Sequence, residues 1–289
     1  MSDVVDADIE GVWAQIDYLE PSSRINRRFW SKGVEFNTGA YASHRVKVRD
    51  ARHALEPLSL DVNGFRLIGH KSAVGDFHDK AQVEALYAAE MIEAMRTLPE
   101  LAGADVILPM SATLRSAAAR AGDQIQPPAT DAHVDFATAS AERFARGMYQ
   151  RARPDGPGYS RFAIHGQWRA FSPPPQDWPL ALCDARSVGA DEGVPNVLVI
   201  VDALPEGDGL YAEIPGEADL PAAWVFARNP AHRWWFFPDL TRDELIVFKF
   251  YDSDHSRPWR TPHTSFHDRS RPEARNRESI EFRTVAYWQ

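Results

Sequence analysis

Arg277-Glu278-Ser279-Ile280-Glu281-Phe282-Arg283-Thr284, near the C-terminus, alternates without a break. Side chains along a strand repeat every two residues, so Arg277, Ser279, Glu281 and Arg283 share one face and Glu278, Ile280, Phe282 and Thr284 the other. One face is wholly polar and the other carries the apolar Ile280 and Phe282 at its centre. Such a strand lines a site on one side while its apolar side packs against helices. Working back from it, short strands divided by Pro, Gly and Asp are predicted over 160–164, 196–201, 210–214, 224–227, 233–237, 244–251 and 279–288. That rhythm predicts a sandwich or barrel and not alternating strand–helix units.

The first half of the chain reads differently. Asn63-Gly64 separates the apolar runs 58–62 and 65–68 and predicts a two-residue hairpin, because both turn residues tolerate positive φ. From Asp79, an N-cap candidate, to Leu98 the apolar residues follow helical spacing until Pro99 stops them. A short strand over 105–110 and a helix over 140–150 complete the reading. Pro154 to Gly158 and Pro173-Pro174-Pro175 are expected as loops inside one domain. The expectation is a mainly β protein with flanking helices, a single domain over 1–289. Residues 1–129 form its hairpin-and-helix buttress and 130–289 its β core.

Composition excludes several functions. A formal charge of −9 and a pI near 5.6 lack the basic face that nucleic-acid binding requires. The only cysteine, Cys183, forms no internal disulfide and suits a reducing compartment. The acidic start over 1–8 has neither a basic nor an apolar signal region, and no apolar run reaches the ~18 residues of a membrane span. The reading is a cytoplasmic protein with no nucleic-acid or membrane partner.

The chemistry comes from His133-Val134-Asp135 and from His263 in Thr261-Pro262-His263-Thr264-Ser265-Phe266. Two imidazoles and a carboxylate are the facial triad that holds non-haem iron and leaves positions open. On a strand, His133 and Asp135 project from the same face. If the three hold Fe(II), a bidentate 2-oxo acid and molecular oxygen can take the remaining positions. The remote carboxylate of that oxo acid needs a cation, and an Arg fork matches it best. Arg277 and Ser279 are two apart on one face and are the first candidates, with Arg283 in reserve.

Several motifs carry a family resemblance. They are His133-Val134-Asp135-Phe136, Trp168-Arg169, the run Pro179 to Val188, Trp234-Trp235-Phe236-Phe237-Pro238-Asp239, the run Phe248 to Asp254, Pro262-His263-Thr264-Ser265-Phe266 and Arg277-Glu278-Ser279-Ile280-Glu281. In this order, over roughly 130–289, the chain resembles secondary-metabolism oxygenases. That group includes proteins similar to gibberellin desaturase, the novofumigatonin-pathway endoperoxidase and the cephamycin-pathway accessory protein. The resemblance implies a double-stranded β-helix (jelly roll, cupin-like) and an Fe(II)/2-oxoglutarate-dependent dioxygenase acting on a small-molecule substrate. It implies iron at His133, Asp135 and His263, and by analogy the 2-oxoglutarate at Arg277 and Ser279, with Trp168 and Arg169 added to the co-substrate candidates. Gly166 departs from the pattern, which places an Asn there, so Gln167 or His165 is left to supply any amide role. Two alternatives stay open: an oxo-acid-independent non-haem iron enzyme, and a catalytically silent small-ligand-binding or accessory partner of a biosynthetic enzyme. Hydroxylation, desaturation and endoperoxide formation share such a scaffold, so the resemblance does not choose among them.

Other side chains have plainer readings. His267, four residues after His263, lacks the intervening Glu of a zinc helix and is expected at the surface. Asp252-Ser253-Asp254 suits Asx turns better than a calcium loop. Cys183 is expected as a buried apolar residue, and Asp184 with Arg186 as a structural ion pair near the mouth of the site. Trp168, Trp234, Trp235 and Trp259 are candidates for an apolar substrate wall.

Overall fold

The computed structural model describes residues 9–120 and 125–289, and the acidic start over 1–8 lies outside the described residues. Its strands are β1 (Gly11–Leu19), β2 (Arg27–Ser31), β3 (Val34–Asn37), β4 (Tyr41–Asp50), β5 (Phe65–Gly69), β6 (Val106–Ser116), β7 (His133–Val134) and β8 (Arg161–Ala170). They continue as β9 (Leu180–Cys183), β10 (Val194–Ile200), β11 (Ala222–Val225), β12 (Trp234–Phe236), β13 (Glu244–Asp252), β14 (His263–Ser265) and β15 (Glu278–Trp288). Two sheets result, ordered β1-β4-β12-β9-β14-β7-β11-β10-β2-β3 and β5-β13-β8-β15-β6. From β6 onward the chain keeps changing sheet: β6, β8, β13 and β15 lie in the five-stranded sheet, and β7, β9, β12 and β14 in the ten-stranded one. This winding brings β14 beside β7, with His263 directly opposite His133.

Strand alternation explains the layers. Phe162, Ile164 and Trp168 of β8, Ile246, Phe248 and Phe250 of β13, and Val285 and Tyr287 of β15 belong to one buried core that also takes in Leu180, Leu182 and Trp235 of the other sheet. The opposite face of the five-stranded sheet, through Leu245, Val247, Ile280, Phe282 and Ala286, meets Tyr87, Met91 and Met95 of a helical run over 80–96. Each fully buried Leu, Val or Phe contributes about 1.5–3 kcal/mol, enough to hold this helix in place. Asp79 caps its start by accepting from the Ala81 and Gln82 amides. A second helix, Thr138–Ala152, contributes Ala141, Ala145 and Tyr149 to the inter-sheet core. Tyr287 Oη donates to the Ala145 carbonyl at 2.7 Å and ties that helix to β15.

The expected hairpin at Asn63-Gly64 does not form. Residues 60–63 make a turn, and β5 pairs with β13 instead of with 58–62. Asn63 Nδ2 donates to Asp184 at 3.0 Å, and a Cβ on Gly64, whose φ is +86°, would lie 2.3 Å from Thr261 Oγ1. The Asn-Gly pair is thus a docking turn, shaped by close approach to Asp184, just after β9, and to Thr261, just before β14. The expected strand over 210–214 is also absent: a 3-10 turn, Gly207–Leu210, ends at its first residue and 211–214 form no strand. The four N-terminal strands were not anticipated; β2 and β4 pair in parallel with β10 and β12, contacts with no local signature.

Candidate metal centre

β7 and β14 place three side chains together: ligand atoms of His133, Asp135 and His263 all lie within 4.8 Å of one another. Asp135 Oδ1 is 3.3 Å from His133 Nε2 and 3.8 Å from His263 Nε2. Each imidazole is oriented from behind. His133 Nδ1 donates to the Asp131 carbonyl at 2.8 Å, and His263 Nδ1 donates to the Thr261 carbonyl at 3.1 Å. Both Nε2 atoms therefore face the Asp135 carboxylate, the arrangement by which backbone carbonyls behind the ring set the tautomer of metal-binding histidines.

The electrostatics suit a cation. Burial opposes ionisation of Asp135, but the Arg283 guanidinium and His133 hold its carboxyl well below the usual range. Burial also disfavours charge on His133, yet Asp131 and Asp135 push it up to about 9. His263 goes the other way, down to about 3, through burial and the nearby charge of His133. One positive charge between three ligating groups is favoured, and a second on the facing imidazole is not.

A second feature lies one pleat further along. Ser265 follows His263 by two residues on the same strand, about 7 Å away on one face. Its Oγ accepts from Arg277 Nη1 at 3.2 Å. Arg277 is fully buried, its guanidinium carbon lying 5.5 Å from the centre of the Trp168 ring. Arg277 Nε and Nη2 and Ser279 Oγ are buried with no hydrogen-bond partner among the described residues. Burial pulls the Arg277 guanidinium down to about 9, aided by the charge of Arg115. A buried fork of unmatched donors is the chemical complement of a carboxylate.

The remaining candidates are placed less uniformly. Arg283 is committed to the carboxylates of Asp135 and Glu281, so it is not free to grip a co-substrate. Arg169 faces away from the inter-sheet core because it follows Trp168 on β8, and its guanidinium meets Tyr87, His70 and the Arg242 carbonyl beneath the helix. Gly166 faces inward, where a Cβ would meet Phe248 at 2.7 Å and Phe250 at 2.9 Å. Those two rings rest against His263, at 4.8 and 5.4 Å. Gln167 points to the helix side, bonding Thr284 Oγ1 and Met95, and supplies no amide to the site.

A cavity of about 700 Å³ opens over His133, Asp135 and Arg283. Its walls include Trp30, Phe136, Val225, Arg28 and Arg115, and none of Trp168, Trp234, Trp235 and Trp259. Trp234 instead donates to Tyr18 Oη at 2.7 Å inside the core, and Trp259 stacks on His255. Asp184 does pair with Arg186 at 2.6 Å, but the pair does not line this cavity. His267 is exposed and stacks on Trp178. Cys183 is buried, which pushes its thiol up to about 12 and leaves it inert. Ser265 and Phe136 stand in the quoted motifs but carried no role in the sequence reading, although Phe136 directly follows Asp135 and Ser265 lies two residues after His263.

Fold and site together define a two-sheet protein with a two-histidine, one-carboxylate centre between its sheets. Residues 16–287 match the family described as Oxidoreductase/YMDC permease-like domain. The chain is 31% identical over 264 residues to the hydroxylase/desaturase efuI of Hormonema carpetanum, covering 86% of this chain and 85% of that one. It is 25% identical over 257 residues to the Fe(II)/2-oxoglutarate-dependent dioxygenase nvfI of Aspergillus novofumigatus, covering 86% and 84%. A solved structure of the iron and alpha-ketoglutarate-dependent endoperoxidase NvfI has the same fold, with a TM-score of 0.77 over 96% of this chain and 98% of that one at 22% identity. The chain belongs to this hydroxylase/desaturase family of oxidoreductases. No helix among the described residues is long and apolar enough to cross a membrane.

Proposed function

We propose that this protein is a cytoplasmic Fe(II)/2-oxoglutarate-dependent oxygenase that hydroxylates or desaturates a small organic molecule of secondary metabolism. The observation that carries the reading is the pairing of two complementary sites in one barrel: a His133, Asp135 and His263 cluster, and the unmatched buried donors of Arg277 and Ser279. The alternation of strands between two sheets supports a double-stranded β-helix. Its relatives, a hydroxylase/desaturase and an Fe(II)/2-oxoglutarate-dependent dioxygenase by name, support both the cofactor and the reaction class.

In this reading His133, Asp135 and His263 hold the iron, and Arg277 with Ser279 holds the remote carboxylate of 2-oxoglutarate. When bound there, iron with 2-oxoglutarate would supply oxidation of a substrate C–H bond by oxygen, the oxo acid being converted to succinate and carbon dioxide. The chain positions and shields. Asp131 and Thr261 fix the imidazoles through their carbonyls, Trp168 backs the Arg277 guanidinium, and Phe248 and Phe250 press on His263 and exclude water. The cavity of about 700 Å³ suits a small organic substrate, and Trp30, Phe136 and Val225 give it an apolar wall.

Calorimetric titration of 2-oxoglutarate into the Mn(II)-loaded protein tests the assignment. Arg277→Gln is expected to weaken 2-oxoglutarate by about 30-fold or more, with Mn(II) affinity unchanged. Equal co-substrate affinity in the variant would reject this site.

A further inference from the structure

We propose that Arg283 is a positioning residue that keeps one oxygen of Asp135 off the metal, so that a coordination position stays open for reactants. The inference rests on the iron reading above and concerns how the chain shapes that centre.

The two oxygens of Asp135 have different surroundings. Oδ1 faces both imidazole Nε2 atoms, at 3.3 and 3.8 Å, whereas Oδ2 contacts Arg283 Nη2. Arg283 is itself held: Nε and Nη2 donate to Glu281 Oε1 at 2.9 and 2.7 Å, and its guanidinium carbon lies 5.4 Å from the centre of the Phe250 ring. Glu281 and Arg283 are two apart on β15 and share its inward face, so the strand itself sets the guanidinium's position. A carboxylate has about four acceptor sites over its two oxygens, and nothing intrinsic stops both from turning to one cation. A guanidinium planted on Oδ2 does, because its rigid fork bridges two carboxylates and, unlike a lysine, need not reorganise to do so. Glu281 also balances the positive charge that would otherwise stand beside the metal.

This role separates from a merely structural one, in which Arg283 neutralises buried acids and affects only stability. It also separates from a co-substrate contact, because the effect appears with no oxo acid present. The measurement is the water-proton relaxivity of the Mn(II)-loaded protein at full metal occupancy, which counts waters on the ion. A facial triad leaves about three of six positions to water, so capture of Oδ2 in Arg283→Gln is expected to lower the inner-sphere relaxivity to roughly two-thirds. Arg283→Lys, which restores a cation to Oδ2, is expected to recover most of it. Glu281→Gln, which loosens Arg283 without removing it, gives an intermediate value and serves if Arg283→Gln fails to fold. Unchanged relaxivity in both Arg283→Gln and Glu281→Gln, or in Glu281→Gln alone where the first does not fold, overturns the proposal. Wild-type protein that takes up no Mn(II), or takes up as much after Asp135→Ala, would instead overturn the metal assignment and the proposal with it.

Discussion

Arg277, immediately before β15, and Arg283 within it lie six residues apart and meet opposite surroundings. Arg283 has two carboxylates, which raise its guanidinium against the effect of burial; Arg277 has none on its guanidinium, and burial pulls it down. Only the second is prepared for an anionic ligand. Ser279→Ala removes one neutral donor from that ligand, and its 2-oxoglutarate affinity should fall by about tenfold, read by the same calorimetry. An undiminished affinity would remove Ser279 from the site. The alternation of β15 was legible, so both arginines were candidates from the sequence. Which one faces a carboxylate was not, because that depends on what β7 and β14 set opposite them. Ser265 was within reach of the same rule, lying two residues beyond His263 and therefore on its face.

At the scale of elements, β8 carries two sets of residues with separate duties. Its inward set, Ile164, Gly166 and Trp168, shapes the interior, and its outward set, His165, Gln167 and Arg169, joins the sheet to the helical run and to β13. His165 is buried and drops to about 3, through burial first and the charge of Lys249 second, against the opposing influence of Asp252. The unfolded chain binds a proton at His165 below about pH 6.5 and the folded one does not until about pH 3, so stability falls with falling pH across that window. The contribution is about 1.4 kcal/mol per pH unit. Denaturant melts of wild type and His165→Gln between pH 6.5 and 4.5 should differ in slope by that amount; parallel slopes would contradict the buried neutral imidazole. Gly64→Ala should destabilise by about 2–4 kcal/mol, combining a left-handed backbone with overpacking against Thr261, and a loss below 1 kcal/mol would contradict the docking turn. The helical run over 80–96 was legible because amphipathic spacing and the Asp79 cap are local signals, and Thr138–Ala152, which starts at Ala137 without a side-chain cap, extends beyond the 140–150 expected for it. The Asn63-Gly64 turn was misread because the same dipeptide serves a hairpin and a close approach.

Across the whole molecule, the function depends on a winding that joins residues far apart in the chain. His133 and His263 become register partners only because β7 and β14 both lie in the ten-stranded sheet, while β8 and β15 carry the opposite wall. Strand rhythm was enough to predict a sandwich or barrel, and the ordered motifs over 130–289 marked the three residues whose ligand atoms come together, His133, Asp135 and His263. Among the N-terminal strands, β2 and β4 join the ten-stranded sheet through parallel pairing to distant partners, which has no local signature, whereas β2 and β3 form a hairpin around Lys32-Gly33 that the sequence reading passed over. The central claim is that the space between the two sheets holds iron and an oxo acid together. The most direct test is anaerobic titration of the metal-free protein with ferrous iron and 2-oxoglutarate, followed by the weak visible charge-transfer band of a chelated oxo acid on iron. The band is predicted to appear at one equivalent of iron, to vanish in Asp135→Ala, and to require far more 2-oxoglutarate in Arg277→Gln. Stoichiometric iron binding with no band at any 2-oxoglutarate concentration would contradict the account.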